Sequence, residues 1–587
     1  MEVTRIFDLL TRYKKKFKPK NDVVAGKENG EWVKYNIDQY IEIVNDISYG
    51  LLKLGVKKGD NIATISNNRP EWNFIDMGIL QTGAIHVPIY PTISESDYQY
   101  ILNHAEVKYV FVAGKELLRK IEHILPDIPT LKGLYTFKEH EGVKHLSELI
   151  ELGKQNPESK KLESIKASIK PKEIATLIYT SGTTGNPKGV MLSHNNIISN
   201  FKAVSKIPPV GEEGKSISYL PLCHVYERML NYLFHYIGVS IYYAENLGTI
   251  VDNIKEIKPE IMSTVPRLLE KVYDKIIAKG RKLKGIKKMI FFWSVDLGLR
   301  YELDGANGWL YEYKLKIAKK LVFKKWQEAL GGNFQVMVSG GAAIQPRLAR
   351  IFTAAGIPVL EGYGLTETSP VIAVSNFWKN GIKFGTVGPI LKDVKVKIAE
   401  DGEILCKGPN LMLGYYKDPK LTKQAIDKDG WFHTGDIGNI EETGQLRITG
   451  RKKEIFKTSL GKYISPQLIE NKFKESPFID VIFVLGENQK YAAALVVPNF
   501  DHLRSWCHVK EIKYSSNREM LVNQIIKKRF QREIDTCNSA FGKTEQIMSF
   551  ELLDTPWTVE TGELTASLKL KRQFIYKKYK AEIDRLF

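Results

Sequence analysis

Residues 179–189, YTSGTTGNPKG, gather hydroxyls, glycines and a single lysine. Gly182 and Gly185 let a backbone approach a polyphosphate and leave its amides free to donate. Thr180, Ser181, Thr183 and Thr184 add donors, and Lys188 adds positive charge. The stretch follows the apolar run IATLIY and precedes the helical pattern NNIISNFKAV. The expected setting is therefore a strand-to-helix turn gripping the β and γ phosphates of a nucleotide. No GxxxxGK[ST] spacing runs through Gly182, Gly185 and Lys188, which disfavours the P-loop NTPases.

Four further clusters follow in order: SGGA at 339–342, EGYGLTET at 361–368, GWFHTGD at 430–436 and GRKKE at 450–454. Taken singly each has an ordinary explanation. A GG pair signals a turn, Glu367 reads as a solvated charge or helix cap, and Asp436 reads as a turn aspartate. Five collinear segments are another matter, and together they resemble the adenylate-forming enzymes: acyl-CoA synthetases, firefly-type luciferases and the adenylation domains of peptide synthetases.

The resemblance implies a task for each motif. The nucleotide site takes Thr180, Ser181, Gly182, Thr183, Thr184, Gly185 and Lys188 on the phosphates, Gly340, Gly341 and Ala342 along the adenine, and Glu361, Gly362, Tyr363 and Gly364, with the Tyr363 ring over the base. Thr366 donates to the α-phosphate and Glu367 holds Mg²⁺, a hard ion that seeks oxygen. Asp436 takes the ribose hydroxyls, and Arg451 contacts the same sugar from the far side of a hinge at Lys453. Near the end, LTASLKLKRQF resembles the segment bearing a mobile catalytic lysine, which the KxLR pattern places at Lys569; Leu568 departs from the common GK form, so Lys571 remains a rival. Gly461 lies by the pantetheine arm of coenzyme A. SYLPLCHVYERM at 218–229 and VPRLLEKVYDKI at 265–276 resemble the long-chain fatty acyl-CoA synthetases. His224 sits either where the acyl and thiol entrances meet or as a hydrogen-bonded core histidine.

These residues need a scaffold. Short apolar runs alternate with helical stretches from about 40 to 135, the rhythm of a parallel sheet with covering helices. Glycine-punctuated strands between 381 and 450 indicate a distorted β-barrel or small sheet, and the runs VIFVLG and YAAALVVP indicate a separate α+β unit near the end. The fold class is α/β: a large N-terminal domain of wound α/β layers plus the distorted barrel, residues 1–452, and a small mobile α+β domain, residues 453–587.

The 587 residues are 43% hydrophobic and 26% charged, ordinary globular usage. No apolar run reaches membrane-spanning length and the start lacks a signal-peptide core, so a cytoplasmic location is expected. Four scattered cysteines, Cys223, Cys406, Cys507 and Cys537, suggest neither disulfides nor zinc. The net charge of +19 comes without a zinc-finger, RRM or KH signature, which points away from nucleic acid and toward phosphate-rich small molecules or an anionic membrane. A basic, aromatic segment from 280 to 330 is the candidate membrane-facing surface. The expected activity is ATP- and Mg²⁺-dependent activation of a long-chain fatty acid to acyl-AMP, followed by thioester formation with coenzyme A. The alternatives are loading of an acyl-carrier protein and a catalytically silent lipid-binding scaffold.

Overall fold

The runs Asn61–Ile65, Ile85–Ile89 and Tyr109–Val112 are buried at every position, as befits parallel strands covered by helices on both faces. In the computed structural model, which describes residues 2–180, 186–246, 248–559, 561–565 and 569–587, they form the middle of an eight-stranded sheet. Its order is Gly414–Tyr415, Lys188–Ser193, Ile174–Thr180, Ile85–Ile89, Asn61–Ile65, Tyr109–Val112, Gly133–Thr136, Lys144–His145. The strands are parallel except Lys188–Ser193, which runs antiparallel to both neighbours. A second eight-stranded sheet has the order Val371–Val374, Val359–Gly364, Val336–Ser339, Ile261–Thr264, Lys215–Ser218, Ser240–Tyr243, Val24–Glu28, Glu31–Tyr35, antiparallel only at its two edges.

The helix Val225–Ile237 is buried from Val225 through His235, and its neighbouring residues Glu227 and Arg228 face different sheets. Glu227 accepts hydrogen bonds from Ser218 and Ser263 of the second sheet. Arg228 donates to Thr176 of the first sheet at 2.6 Å and pairs with Asp76 of the buried helix Pro70–Gln81. Burial alone would raise Asp76, but Arg228, His86 and the Tyr232 hydroxyl hold it down at about 2. Removing one partner from such a buried pair costs about 3–5 kcal/mol.

The described chain divides into two compact units. The first is Met1–Val396 with Cys406–Phe432 and Thr443–Gln445, and the second is Lys397–Leu405 with His433–Glu442 and Leu446–Phe587. Most of a four-stranded sheet, in the order Lys395–Ile398, Glu403–Lys407, Phe432–Ile440, Leu446–Arg451, lies in the second unit. Isolated bridges Ala373 to Ile390 and Pro389 to Gln445 link the glycine-punctuated region to its neighbouring strands. The second unit also holds a three-stranded sheet, Ile479–Leu485, Ala492–Pro498 and Ile547–Leu552, with the helices Pro466–Phe473, Phe500–Val509 and Gln524–Asn538. All four cysteines are buried and none forms a disulfide. No helix among the described residues is long and apolar enough to cross a membrane.

Candidate active site

Parallel strands send their carboxyl ends the same way, and the loops leaving those ends carry most of the motifs. Thr264 pairs with Ser339 and Ser339 with Glu361, so SGGA and EGYG leave adjacent strands at one edge of the second sheet. The strand Lys215–Ser218 has Ser240–Tyr243 on one side and Ile261–Thr264 on the other; the winding reverses there, and loops diverge to open a crevice. Asn68, just beyond the first sheet's strand Asn61–Ile65, donates to the Leu220 carbonyl at 2.7 Å and to Ser218 at 3.0 Å. It also accepts from the Leu222 N–H at 3.0 Å. These bonds bring the carboxyl edges of both sheets together.

Thr180 and Lys188 are cross-strand partners. The segment between them therefore joins strand to strand, which corrects the expected strand-to-helix setting. The reason is KGVMLS, 188–193, which buries Val190 and Leu192 two residues apart as a strand does. The helix His194–Val204 follows, opened by a capping box between Ser193 and Asn196. Ser181, Gly182, Thr183, Thr184 and Gly185 lie outside the described residues.

Lys188 and Glu367 are linked through a residue that no motif had marked. The Lys188 ammonium stands 5.6 Å from the centre of the Tyr415 ring, and the Tyr415 hydroxyl donates to Glu367 Oε1 at 2.8 Å. Tyr415 is placed by its strand, Gly414–Tyr415, which pairs with Met191 and Val190. Burial, reinforced by the neighbouring Glu367 charge, pushes the Tyr415 hydroxyl far up, so it stays a donor. Among the described residues Glu367 Oε2 accepts no hydrogen bond. A single carboxylate oxygen suits Mg²⁺, which keeps several waters and takes its other ligands from substrate phosphates.

The turn Thr366–Thr368 is held from behind. Thr368 Oγ1 accepts from the Leu365 N–H at 2.9 Å and donates to the Pro370 carbonyl. Asn200, on the helix His194–Val204, donates to the Val371 carbonyl at 2.8 Å and accepts from its N–H at 3.2 Å, and Asn410 donates to the Thr368 carbonyl at 3.0 Å. One turn earlier Asn196 donates to the carbonyls of Pro409 and Leu411. One helix thus fixes both the turn that carries Thr366 and Glu367 and the segment leading to Tyr415. Gly364 is required here, because a Cβ would lie 1.8 Å from the Pro370 carbonyl oxygen.

Gly340 packs against the ring of Tyr226, which a Cβ would meet at 3.0 Å; Gly341 and Ala342 are exposed beside it. Glu361 turns inward and accepts from the Ile344 N–H at 3.2 Å, bracing the loop that begins with SGGA. Burial lifts its carboxyl to about 8. Gly362 and Tyr363 are half-buried on the same strand. His224 caps the helix Val225–Ile237, Nδ1 accepting from the Tyr226 N–H at 3.2 Å, with its ring edge-on to Tyr90.

In the second unit Asp436 and Arg451 face each other across adjacent strands and form an ion pair at 2.8 Å. Arg451 therefore shares a sheet with Asp436, in place of the expected approach from beyond a hinge, because the antiparallel register makes the two residues partners. Lys453 lies in the exposed turn after Leu446–Arg451, and Gly461, at φ +79°, in the exposed turn between Phe456–Lys457 and Tyr463–Ile464. Lys569 is exposed, and its carbonyl accepts from the Thr565 N–H at 2.8 Å. Lys571 immediately precedes the helix Arg572–Lys578. The base of this segment is clamped by Arg572, which pairs with Glu454 of GRKKE at 3.1 Å and with Glu470 at 2.7 Å.

Residues 12–416 match the family model described as AMP-binding enzyme, and 453–587 match that of the AMP-binding enzyme C-terminal domain. The chain belongs to the AMP-binding enzyme family. A long-chain-fatty-acid–CoA ligase of Mycobacterium bovis is 31% identical over 567 residues, covering 95% of this chain and 93% of its own. A peroxisomal long-chain acyl-CoA synthetase of Arabidopsis thaliana is 33% identical, covering 89% and 77%. Among solved structures, an anthranilate CoA ligase bound to anthranoyl-AMP aligns with a TM-score of 0.74 at 18% identity, covering 99% of this chain and 98% of that one. A Mycobacterium tuberculosis fatty acyl CoA synthetase aligns at 0.61 and 19%, covering 99% of each. At that identity the structural likeness carries the fold alone.

In this AMP-binding enzyme the residues that sequence motifs missed are supports: Tyr415, Asn196, Asn200 and Arg572. Their signal is faint. Tyr415 stands in LMLGYYKDP and Arg572 in KLKR, but each acquires meaning only from the strand or carboxylate that folding sets against it.

Proposed function

We propose that the chain is an AMP-forming long-chain fatty acid–CoA ligase that uses ATP with Mg²⁺. The observation that carries this is the line from Lys188 through Tyr415 to Glu367 beside the Thr366 turn, a cation and a hard oxygen held together at the carboxyl edge of a wound sheet. The long-chain fatty acid and coenzyme A rest on relatives named for that reaction and similar over nearly the whole chain.

A carboxylate resists a thiol because oxide is a poor leaving group, so it must first be joined to AMP. One carboxylate oxygen attacks the α-phosphorus of ATP, the bond to the bridging oxygen breaks, and pyrophosphate departs. The chain's part is positioning and charge neutralisation. Lys188, with the segment from Thr180 to Gly185, holds the β and γ phosphates; Thr366 donates to the α-phosphate; Gly340 to Ala342 and Tyr363 enclose the adenine; Asp436 and Arg451 meet the ribose. Glu367 would hold Mg²⁺, which when bound would supply positive charge against the phosphates. Lys569 bridges carboxylate and α-phosphate. In the second half-reaction residues 453–587 turn about Lys453, the coenzyme A thiol enters past Gly461 and gives up its proton, its sulfur bonds to the acyl carbon, and AMP leaves. His224 borders the acyl carbon's approach. Each buried methylene of an acyl chain gains about 0.8 kcal/mol, which favours long chains over short ones.

The test is AMP release from ATP with fatty acids of graded length, with and without coenzyme A. The expected result is release that rises with chain length and a thioester product only when coenzyme A is present. No AMP with any fatty acid would sink the proposal, and acyl transfer only to a carrier protein would replace it with the alternative acceptor.

A further inference from the structure

The segment from 280 to 330 contains an exposed apolar stripe that the adenylation chemistry does not use. The helix Trp309–Ala318 runs on through the π turn Lys319–Phe323 into Lys324–Ala329. One side of this run is core: Leu315, Ala318, Val322, Phe323 and Trp326 are buried. Another side is apolar and bare, with Trp309 81% exposed, Tyr313 61%, Ile317 37% and Leu321 45%. Spacing by four puts these residues on one face. The neighbouring helix Gly285–Leu299, packed along it, adds Ile286 and Met289, 69% and 66% exposed.

Charge says what covers this face. Between 281 and 325 stand ten lysines and two arginines against four acids. Asp296 is paired with Arg300 and Glu302 with Arg350, whereas none of the ten lysines makes an ion pair among the described residues. Two copies meeting through this stripe in a self-complementary contact would bring the same lysines against each other. An anionic bilayer instead neutralises them, and Trp and Tyr are the side chains that settle at the depth of lipid headgroups. We infer that the run 309–329 lies in the plane of an anionic membrane, with Trp309, Tyr313, Ile317 and Leu321 in the interface and Lys319, Lys320 and Lys324 on the headgroups. This surface stands independently of the ligase proposal, since lipid binding needs neither ATP nor coenzyme A.

The experiment is co-sedimentation of the full chain with vesicles of phosphatidylcholine, with and without one-quarter phosphatidylglycerol, at low and high salt. The chain is expected to bind the anionic vesicles and to be released by salt. Each neutralised lysine should lower partition about fivefold, so Lys319→Gln, Lys320→Gln and Lys324→Gln together should lower it by roughly 100-fold. Trp309→Ser with Tyr313→Ser should also release the protein, at an unchanged melting temperature because both side chains are exposed. Binding left intact by either set of substitutions, equal binding to neutral vesicles, or a wild-type dimer that the serine substitutions split in sedimentation equilibrium would each overturn the inference.

Discussion

Tyr415 links Lys188 and Glu367 with one side chain, its ring 5.6 Å from the Lys188 ammonium and its hydroxyl on Glu367. Tyr415→Phe keeps the ring and deletes the bond. A hydrogen bond to a charged group contributes about 1.5–3 kcal/mol, so fatty acid-dependent pyrophosphate exchange should fall roughly 10- to 100-fold in kcat/KM, with a higher Mg²⁺ concentration needed for half-maximal rate. Conversion of supplied acyl-AMP to thioester should hold. An unchanged Mg²⁺ dependence would mean that the tyrosine does not position the carboxylate. Lys569→Ala is expected to separate the half-reactions in the same direction, abolishing adenylate formation while acyl-AMP supplied directly still reacts with coenzyme A. Equal loss of both steps would count against its role, and survival of both would move the role to Lys571.

At the scale of elements, the helix His194–Val204 is the organiser. Asn196 reaches the segment before Tyr415, and Asn200 reaches the strand after the Thr366 turn. Asn200→Ala leaves the buried Val371 N–H without its side-chain partner and its carbonyl with Asn410 alone at 3.3 Å, which costs about 1–3 kcal/mol. The prediction is a lower urea midpoint together with weaker ATP binding by calorimetry; lost stability with intact ATP affinity would confine Asn200 to the core. This arrangement was not legible from sequence, because an asparagine in a helix pattern reads as a surface residue until the loop that it bonds is known. The helix itself, and the strands around it, were legible from apolar spacing. The strands Lys188–Ser193 and Gly414–Tyr415 were among those not read from the sequence.

At the scale of the whole molecule, buried titratable groups set the response to pH. Burial holds His86 at about 4, His194 at about 3 and His235 at about 4, below the usual 6.5. Below pH 6.5 the unfolded chain protonates these rings and the fold does not, so each removes about 1.4 kcal/mol of stability per pH unit as pH falls. Burial moves Glu227 to about 7 and Glu361 to about 8, above the usual 4.5. There the fold retains protons that the unfolded chain has lost, and stability falls as pH rises toward those values. Three histidines outweigh two carboxyls below about pH 6.5, and above it the carboxyls act alone. The urea midpoint of the ligand-free protein should therefore peak near roughly pH 6.5, and Glu361→Gln should flatten the alkaline side. A wild-type midpoint still climbing toward pH 8 would refute this balance.

Sequence by itself indicated the kind of chemistry, since five motifs in fixed order resemble those of the adenylate-forming enzymes and that resemblance implies phosphate, base, sugar and metal partners, and apolar periodicity indicated the wound α/β layers. Tertiary structure decided which of those residues meet. Asp436 finds Arg451 through an antiparallel register, Glu454 finds Arg572 across 118 positions, and Lys188 finds Glu367 through a tyrosine on a two-residue strand. Local pattern records what a residue prefers within a turn or two, whereas these partnerships depend on strand order and loop path, which a linear sequence does not display.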